Sequence, residues 1–229
     1  MARKSKKLIL AWSKVDRKKH YPLAEAIKLA QETSYSKFDG SIDLAFNLNL
    51  DVRQADQQLR GSVALPNPTG KNVRVLVISD DTNVQELARL NGADEVANQN
   101  DAKAILSKEK FDFDIIVTDP KTMPFLAKYG KVLGPRGLMP NPKTGTVTPN
   151  VDRAVGEVKK GKANYRTDKT GIVHTSIGKV SLDSQHLIQN AETVVAAIKR
   201  VRPAAVKGAY IKNLTVSASM GPAIKVELV

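Results

Sequence analysis

Residues 159–179 hold the densest group of side chains in the chain that could bind a phosphate or a base. The segment, KKGKANYRTDKTGIVHTSIGK, contains six cations, one Tyr and one His, and Asp168 is its only acid. Alternation through residues 162–166 and 172–177 predicts two short strands, joined by a turn at residues 169–171. The sequence therefore predicts a basic β-hairpin.

In such a hairpin Tyr165, Arg166, Lys169 and His174 would stand on or beside one surface. Cations hold phosphates, while aromatic rings and guanidinium planes stack on unpaired bases. A solvated basic hairpin that binds nothing has the same local composition. The segment alone does not decide between these two interpretations.

Two other short segments offer groups that RNA recognition uses. Phe38 follows Lys37 in YSKFDG, where an exposed turn is predicted, and its ring could stack on a base or cover the edge of the core. Residues 219–222, SMGP, predict a tight loop in which backbone and hydroxyl groups could approach a ribose. A simple hairpin turn explains the same four residues.

Residues that would indicate catalysis or metal binding are not arranged for it. His20, His174 and His186 are far apart in the sequence and form no HxxxH or HExxH spacing, and the chain has no cysteine. No serine lies in a G-x-S-x-G elbow, and the adjacent acids at 80–81 and 94–95 are interpreted as surface solvation. The sequence therefore predicts no metal site and no enzyme.

A nucleotide cofactor is also not predicted. The strand that ends at Ser79 is followed by DDTN rather than by G-x-G-x-x-G, and its acids would repel a pyrophosphate. The segment GPRG at 134–137 is not followed by GK[ST], so it is not a phosphate-binding loop.

Net charge indicates a polyanionic partner. The 229 residues carry +13, with a pI near 9.8, which is typical of proteins that bind nucleic acid or an acidic membrane surface. Residues 68–158 contain 12 Lys or Arg and 12 Asp or Glu, whereas the flanking residues contain 24 and 11. No apolar run approaches the ~20 residues of a membrane span, so we expect a soluble cytoplasmic protein without a membrane partner.

Hydrophobic periodicity separates the same two parts. The flanks predict helices within 3–19, from Pro22 onward and over 184–200, with half-buried antiparallel strands over 41–51, 61–65, 212–218 and 223–229. The middle predicts buried strands over 73–79, 93–97 and 113–118, alternating with helices over 83–90, 102–108, 122–128 and 151–158. Residues 133–150, rich in Pro and Gly, predict an ordered loop.

The predicted class is α/β, in two domains. Residues 1–67 plus 159–229 form a discontinuous basic α+β domain with a mostly antiparallel sheet. Residues 68–158 form an inserted three-layer α/β domain with a small parallel sheet. The two crossings between domains would lie side by side, an arrangement that allows a hinge.

Four segments together resemble a known family. SKFDGSIDLAFNLNLD, LGPRGLMPNPKTGTVT, NYRTDKTGIVHTSIGK and SMGP occur in this order and resemble the universal ribosomal protein L-one family, in its bacterial type. The resemblance covers essentially the full length. It implies a discontinuous first domain that binds RNA and an inserted α/β second domain, in agreement with the charge partition.

The resemblance also implies a function and its partners. Members of the family are structural constituents of the large ribosomal subunit, where they bind the ribosomal RNA of the mobile stalk near the tRNA exit site. The stalk helps to release deacylated exit-site tRNA. The free protein, a monomer, represses translation by binding a mimic of this site on its own operon messenger RNA.

Transferred residue by residue, the resemblance implies RNA contacts from Glu25, Lys37, Phe38, Arg166, Asp168, Lys169, His174, Ser219, Met220 and Gly221. Glu25 and Asp168 are acids, so we expect them to accept hydrogen bonds from a 2′-OH or a base amino group. Ser219 stands where the family usually has Thr, which keeps the hydroxyl and loses a methyl contact.

Two alternatives come from other functional classes. The first is a nucleotide-dependent enzyme built on the inserted domain, against which the missing phosphate loop argues. The second is a nonspecific basic protein that binds DNA or an anionic membrane by bulk charge, with little sequence discrimination and strong salt dependence.

Overall fold

A computed structural model describes residues 5–107 and 111–227 of the chain. Its helices are α1 Lys6–Ser13, α2 Leu23–Glu32, α3 Thr82–Leu90, α4 Gln99–Leu106, α5 Met123–Ala127, α6 Gly130–Leu133, α7 Val151–Gly161 and α8 Ser184–Arg200. Its strands are β1 Ser41–Leu48, β2 Arg60–Ala64, β3 Val75–Ile78, β4 Glu95–Ala97, β5 Ile115–Thr118, β6 Lys162–Arg166, β7 Ile172–Lys179, β8 Ile211–Ala218 and β9 Ile224–Val226. The mixture of helices with antiparallel and parallel sheets confirms the predicted α/β class.

The chain divides into two compact units. The terminal unit comprises Met1–Lys71 and Ala163–Val229, and the central unit comprises Asn72–Lys162. The central unit contains 14 Lys or Arg and 12 Asp or Glu, a net charge of +2. The terminal unit contains 22 and 11, so it carries +11 of the total of +13.

The terminal unit is built on a four-stranded antiparallel sheet of order β7-β1-β8-β9. Strand β1 alternates as its sequence predicts, and Ile42, Leu44 and Phe46 are fully buried. Helices α2 and α8 cover that face, since their residues share one hydrophobic cluster with β1. One face of the sheet is therefore core, and the other is left for polar side chains.

The two covering helices follow their apolar stripes. In α8 the buried side chains include Leu187, Ala191, Val194 and Ile198, spaced at three or four residues as a single helical face requires. The face predicted for α1 is partly wrong. Ile9 is 53% exposed, and Ala11 is the buried residue of that helix.

The predicted hairpin over residues 162–177 is wrong, although both strands exist. Strand β6 pairs with β2 in a separate two-stranded sheet, whereas β7 pairs with β1. Between β6 and β7 only an isolated bridge, Thr167 to Val173, is recorded among the described residues. The close contact of Tyr165 with Gly61 favours the observed pairing, because a Cβ at Gly61 would lie 2.5 Å from Tyr165 Oη.

The central unit has the three layers that its sequence predicts. Its parallel sheet has the order β4-β3-β5, with β3 in the middle. Every residue of β3 is buried: Leu76 and Ile78 pack in a cluster with α4, α5 and α6, while Val75 and Val77 pack in a second cluster with α3 and α7. A strand with apolar residues on both faces is typical of such a layer.

The Pro- and Gly-rich segment at 133–150 is ordered against the edge of this sheet. Thr118 of β5 donates from its backbone N to Thr146 O at 3.0 Å and accepts from Thr148 N at 3.1 Å. A 3₁₀ turn at Pro142–Thr144 ends at Gly145, whose φ of +65° is left-handed. Among the helices of the described residues, none is long and apolar enough to cross a membrane.

Candidate nucleic-acid interface

The sheet face opposite α2 and α8, here called the outer face, carries mostly small polar side chains. Its rows across the strands are Ser176–Asp43–Ser217, His174–Ala45–Thr215–Lys225 and Ile172–Asn47–Asn213. These residues are exposed or half-buried, while their neighbours along each strand are buried. Hydroxyl, amide and imidazole groups on a face of this kind can exchange hydrogen bonds with 2′-hydroxyls and base edges.

One end of the outer face is closed by a reciprocal contact between Ser41 and Ser219. Ser219 N donates to Ser41 O at 2.9 Å, and Ser41 N donates to Ser219 Oγ at 3.0 Å. Gly40 lies against this pair, since a Cβ there would be 3.1 Å from the Ser219 Cβ. The predicted tight loop at 219–222 is present, and Gly221 N donates to Ala218 O at 2.8 Å.

The segment that carries Lys37 and Phe38 is fastened to the same end. The carboxylate of Asp39 accepts from Ser181 N at 3.1 Å and from Ser181 Oγ at 2.8 Å, and it lies 3.7 Å from Lys179 Nζ. The Ser181 hydroxyl contributes most to lowering the pKa of Asp39, and Lys179 adds to this effect. Lys37 and Phe38 are exposed next to this anchor.

Two large apolar side chains are exposed where these segments meet. Phe38 is 62% exposed and Met220 is 68% exposed. Met220 also has φ of +66°, the one positive φ of a residue other than glycine in residues 5–107 and 111–227. A bulky residue in this conformation is strained. Both side chains can pack on a base or a ribose, so the structure places the predicted Phe38 and the loop residues together.

The other end of the outer face is formed by a turn that Asp168 holds. Asp168 Oδ1 accepts from Thr170 N and from Ile172 N, both at 2.8 Å, and Gly171 has φ of +81°. The Ile172 N–H contributes most to lowering the pKa of Asp168, followed by the Thr170 hydroxyl. The carboxylate that was predicted as an RNA contact therefore also has a structural role within the turn.

Around this turn stand the other candidates from residues 162–177. Lys169 is exposed at the tip, and His174 Nε2 lies 3.9 Å from Asp168 Oδ2. Arg166 and His174 flank the bridge between Thr167 and Val173, and both are exposed. Arg166, Asp168, Lys169 and His174 are thus brought together.

The two ends are separated by the length of β1. Residue 41 pairs with 179 at one end and residue 47 with 172 at the other, which at about 3.4 Å per residue is about 20 Å. The candidates form two groups with the outer face between them, rather than one cluster.

Glu25 is not brought into either group. It lies in the first turn of α2, in the helical layer of the unit, and its ion-pair partner is Lys19 at 3.8 Å. Tyr165 also differs from its predicted place on the surface. It is 6% exposed and belongs to the core cluster, where burial raises its pKa.

Half of the six cations at 159–179 are engaged in ion pairs. Lys159 lies in α7 and contacts Asp94 at 2.6 Å, Lys162 contacts Glu157 at 3.1 Å, and Lys179 contacts Asp39. The interpretation of Asp94 as surface solvation is incomplete, because this carboxylate also accepts from Val75 N at 2.7 Å. Local counting of cations overstated the charge that this segment presents.

Sequence reasoning missed the middle of the surface. Asp43, Asn47, Thr215 and Ser217 are the polar members of the same alternating strands whose apolar members were used to predict the core. The signal was present, because every second residue of a half-buried strand faces away from the core. Asp39 and Ser181 gave no such signal, since they are 142 residues apart and meet only in the fold.

Comparison with known proteins identifies the family. Residues 30–222 match the ribosomal protein L1p/L10e family. The large ribosomal subunit protein uL1 of Mycoplasmopsis pulmonis is 60% identical over 228 residues, which are 100% of both chains. Proteins of the same name are 57% identical in Metamycoplasma arthritidis, over 100% of both chains, and 56% identical in Mycoplasmopsis agalactiae, over 99% of this chain and 98% of the relative. The predicted resemblance is confirmed, and the chain belongs to the ribosomal protein L1p/L10e family.

Proposed function

We propose that this chain is a structural constituent of the large ribosomal subunit that binds ribosomal RNA through the terminal unit. Membership of a ribosomal protein family supports the proposal, as do curated relatives that are named as large-subunit proteins. The terminal unit also carries +11, which favours a polyanionic partner. The same family membership counts against a nucleotide-dependent enzyme.

The outer face and its two ends divide the work of recognition. Lys37, Arg166 and Lys169 supply charge for phosphates, a contribution that is strong but insensitive to sequence. Phe38 and Met220 supply apolar surface on which a base or a ribose packs. The small polar residues between them accept close approach of an RNA minor groove and its 2′-hydroxyls.

The RNA that we propose is that of the mobile stalk near the tRNA exit site. In that position the protein, located in the cytoplasm as part of the ribosome, would assist release of deacylated tRNA from the exit site. The free monomer would bind a mimic of the stalk site on its own operon messenger RNA. Because one surface would serve both RNAs, stalk RNA would displace the messenger, and repression would follow the supply of free protein.

The observation that carries the proposal is the arrangement of two exposed groups of candidates at the ends of one polar sheet face. An equilibrium titration at ~0.2 M salt tests it, with a large-subunit ribosomal RNA fragment carrying the stalk helices as the probe. A shuffled RNA of equal length serves as competitor. Specific nucleic-acid sites typically exceed nonspecific ones by ~1,000-fold or more, so a preference of that order is expected.

Equal affinity for the two RNAs would contradict the proposal and leave only a basic surface. The messenger proposal has its own test, which is competition between the stalk fragment and the leader of the operon messenger for one protein. Simultaneous binding of both RNAs would contradict it. A thermal-shift screen with ATP and NAD addresses the enzyme alternative, since a bound cofactor would raise the melting temperature.

A further inference from the structure

A cavity of about 270 Å³ lies in the terminal unit between the end of α8 and the start of β8. It is lined by Lys199, Arg202, Tyr210 and Ile211. The backbone places it at one end of the sheet, because Ile211 pairs with Leu48 and Tyr210 O accepts from Asn49 N at 2.8 Å. None of its lining residues belongs to the rows of the outer face, so the proposed RNA surface does not account for it.

The hydroxyl of Tyr210 is an unusual feature of this cavity. Tyr210 is 6% exposed, and within the described part of the chain its hydroxyl has no hydrogen-bond partner. Tyr21, which is buried to the same extent, accepts a hydrogen bond on its hydroxyl from Asp16 N at 3.1 Å. Buried polar groups are nearly always paired, so an orphan hydroxyl in the wall of a cavity indicates a missing partner.

The charge beside that hydroxyl is positive. Burial raises the pKa of Tyr210 to about 12, the neighbouring Tyr165 raises it further, and the positive charge of Arg202 acts in the opposite direction. At neutral pH the hydroxyl therefore keeps its proton and is a hydrogen-bond donor. Lys199 brings a second positive charge to the same cavity.

Arg202 is held in place by the loop that follows α8. Its Nη2 donates to Val206 O and to Gly208 O, both at 3.0 Å. A guanidinium group has five N–H donors, so anchoring through one nitrogen leaves its fork able to bind two oxygens of a ligand. An anchored guanidinium loses less rotamer entropy on binding than a mobile one.

We propose that this cavity binds a phosphate group, with Tyr210 and Arg202 as donors and Lys199 as a further source of positive charge. A tetrahedral oxyanion offers acceptors to the hydroxyl and to the guanidinium fork together, and a planar fork matches phosphate geometry. The group belongs either to the backbone of a bound RNA or to a small phosphorylated ligand. Both present the same oxygens to the cavity.

A titration of the whole chain with inorganic phosphate, followed by thermal unfolding, tests the site. At about ten times its Kd, phosphate is expected to raise the melting temperature by about 3–6 °C. Phosphate also stabilises proteins nonspecifically, because it is excluded from their surface. The decisive comparison is therefore Tyr210→Phe, which removes the donor hydroxyl and leaves the ring.

Tyr210→Phe separates ligand binding from a packing role. In phosphate-free buffer the variant should be as stable as the parent protein or more stable, because it removes an unpaired buried hydroxyl. In phosphate it should lose most of the parent protein's gain in melting temperature. Arg202→Gln should lose the same gain, whereas Lys212→Gln, an equal change of charge at an exposed residue outside the cavity lining, should keep it.

The source of the phosphate is decided with the stalk RNA fragment. If the group belongs to the RNA backbone, Arg202→Gln lowers the slope of log affinity against log salt by about 0.7–0.9, and Lys212→Gln does not. If it belongs to a small ligand, RNA affinity stays unchanged while the phosphate effect on melting persists. An equal rise in melting temperature for the parent protein and Tyr210→Phe would overturn the proposal.

Discussion

Ser41 and Ser219, 178 residues apart in sequence, hold each other through two hydrogen bonds at the end of the central strand pair. The backbone N of Ser219 donates to Ser41 O at 2.9 Å, and its side-chain Oγ accepts from Ser41 N at 3.0 Å. The contact fixes where the last residue of β8 leaves the sheet. It thereby fixes where Met220 presents its side chain.

Ser219→Ala tests this relationship directly. Loss of the acceptor for Ser41 N should lower the free energy of unfolding by about 1 kcal/mol, the usual net value of one hydrogen bond. Affinity for the stalk RNA fragment should fall as well, because the 219–221 loop is less well positioned. Urea unfolding and the RNA titration measure the two effects. Ser219→Thr keeps the hydroxyl, so a loss of stability equal to that of the Ala variant would contradict this account.

Phe38→Ala and Met220→Ala should weaken specific RNA binding without weakening the fold. Both side chains are more than 60% exposed, so truncation removes little buried surface. Loss of a stacking contact costs about 1–3 kcal/mol of binding free energy, and the salt slope should hardly change. Leu90→Ala is the matched control, since Leu90 is 83% exposed in the central unit. Unchanged affinity in both variants would remove these residues from the site.

Met220→Gly separates strain from recognition at one residue. Glycine adopts the φ of +66° without steric cost, so the variant should be as stable as the parent protein or slightly more stable. Binding should nevertheless weaken, because the apolar side chain is lost. A strained residue that is retained against stability indicates a functional role. Unchanged affinity in this variant would indicate that Met220 marks a turn and nothing more.

The elements of the fold were predictable because each one is encoded locally. The alternation of Ile42, Leu44 and Phe46 determines both the strand and its buried face. The pairing of β6 was not predictable in this way, because its partner β2 lies about a hundred residues earlier. Short sequence separation favoured a hairpin, and the packing of Tyr165 against Gly61 favours the non-local partner.

The candidate site was predictable to the extent that its residues occur in contiguous motifs. Arg166, Asp168, Lys169 and His174 come from one segment, and the fold keeps them together. That Asp168 ties its own turn could not be deduced from charge alone. Ion pairs such as that between Lys159 and Asp94 cross 65 residues, so the free charge of a segment depends on the tertiary structure.

Asp168→Asn should make stability less dependent on pH. Hydrogen bonds from Ile172 N and from Thr170 hold the pKa of Asp168 below its ordinary value of 3.8 in the folded chain. Because the folded-state pKa is the lower one, the stabilisation is present at neutral pH and is lost as the pH falls from 3.8 through the folded value. Urea unfolding between neutral and acid pH should show the difference between the two proteins shrinking at low pH. A difference that is constant with pH would show that the charge of Asp168 is not involved.

Lys169→Gln tests whether the tip of the turn contacts a phosphate. Lys169 is exposed, so removal of its charge should leave the fold intact and reduce the slope of log affinity against log salt by about 0.7–0.9 if one phosphate contact is lost. The ratio of affinities for the stalk fragment and a shuffled RNA should change little, because phosphate contacts carry no sequence information directly. Lys128→Gln makes the same change of charge at an exposed residue of the central unit. If both variants lower the slope equally, the charge acts over the whole molecule rather than at this turn.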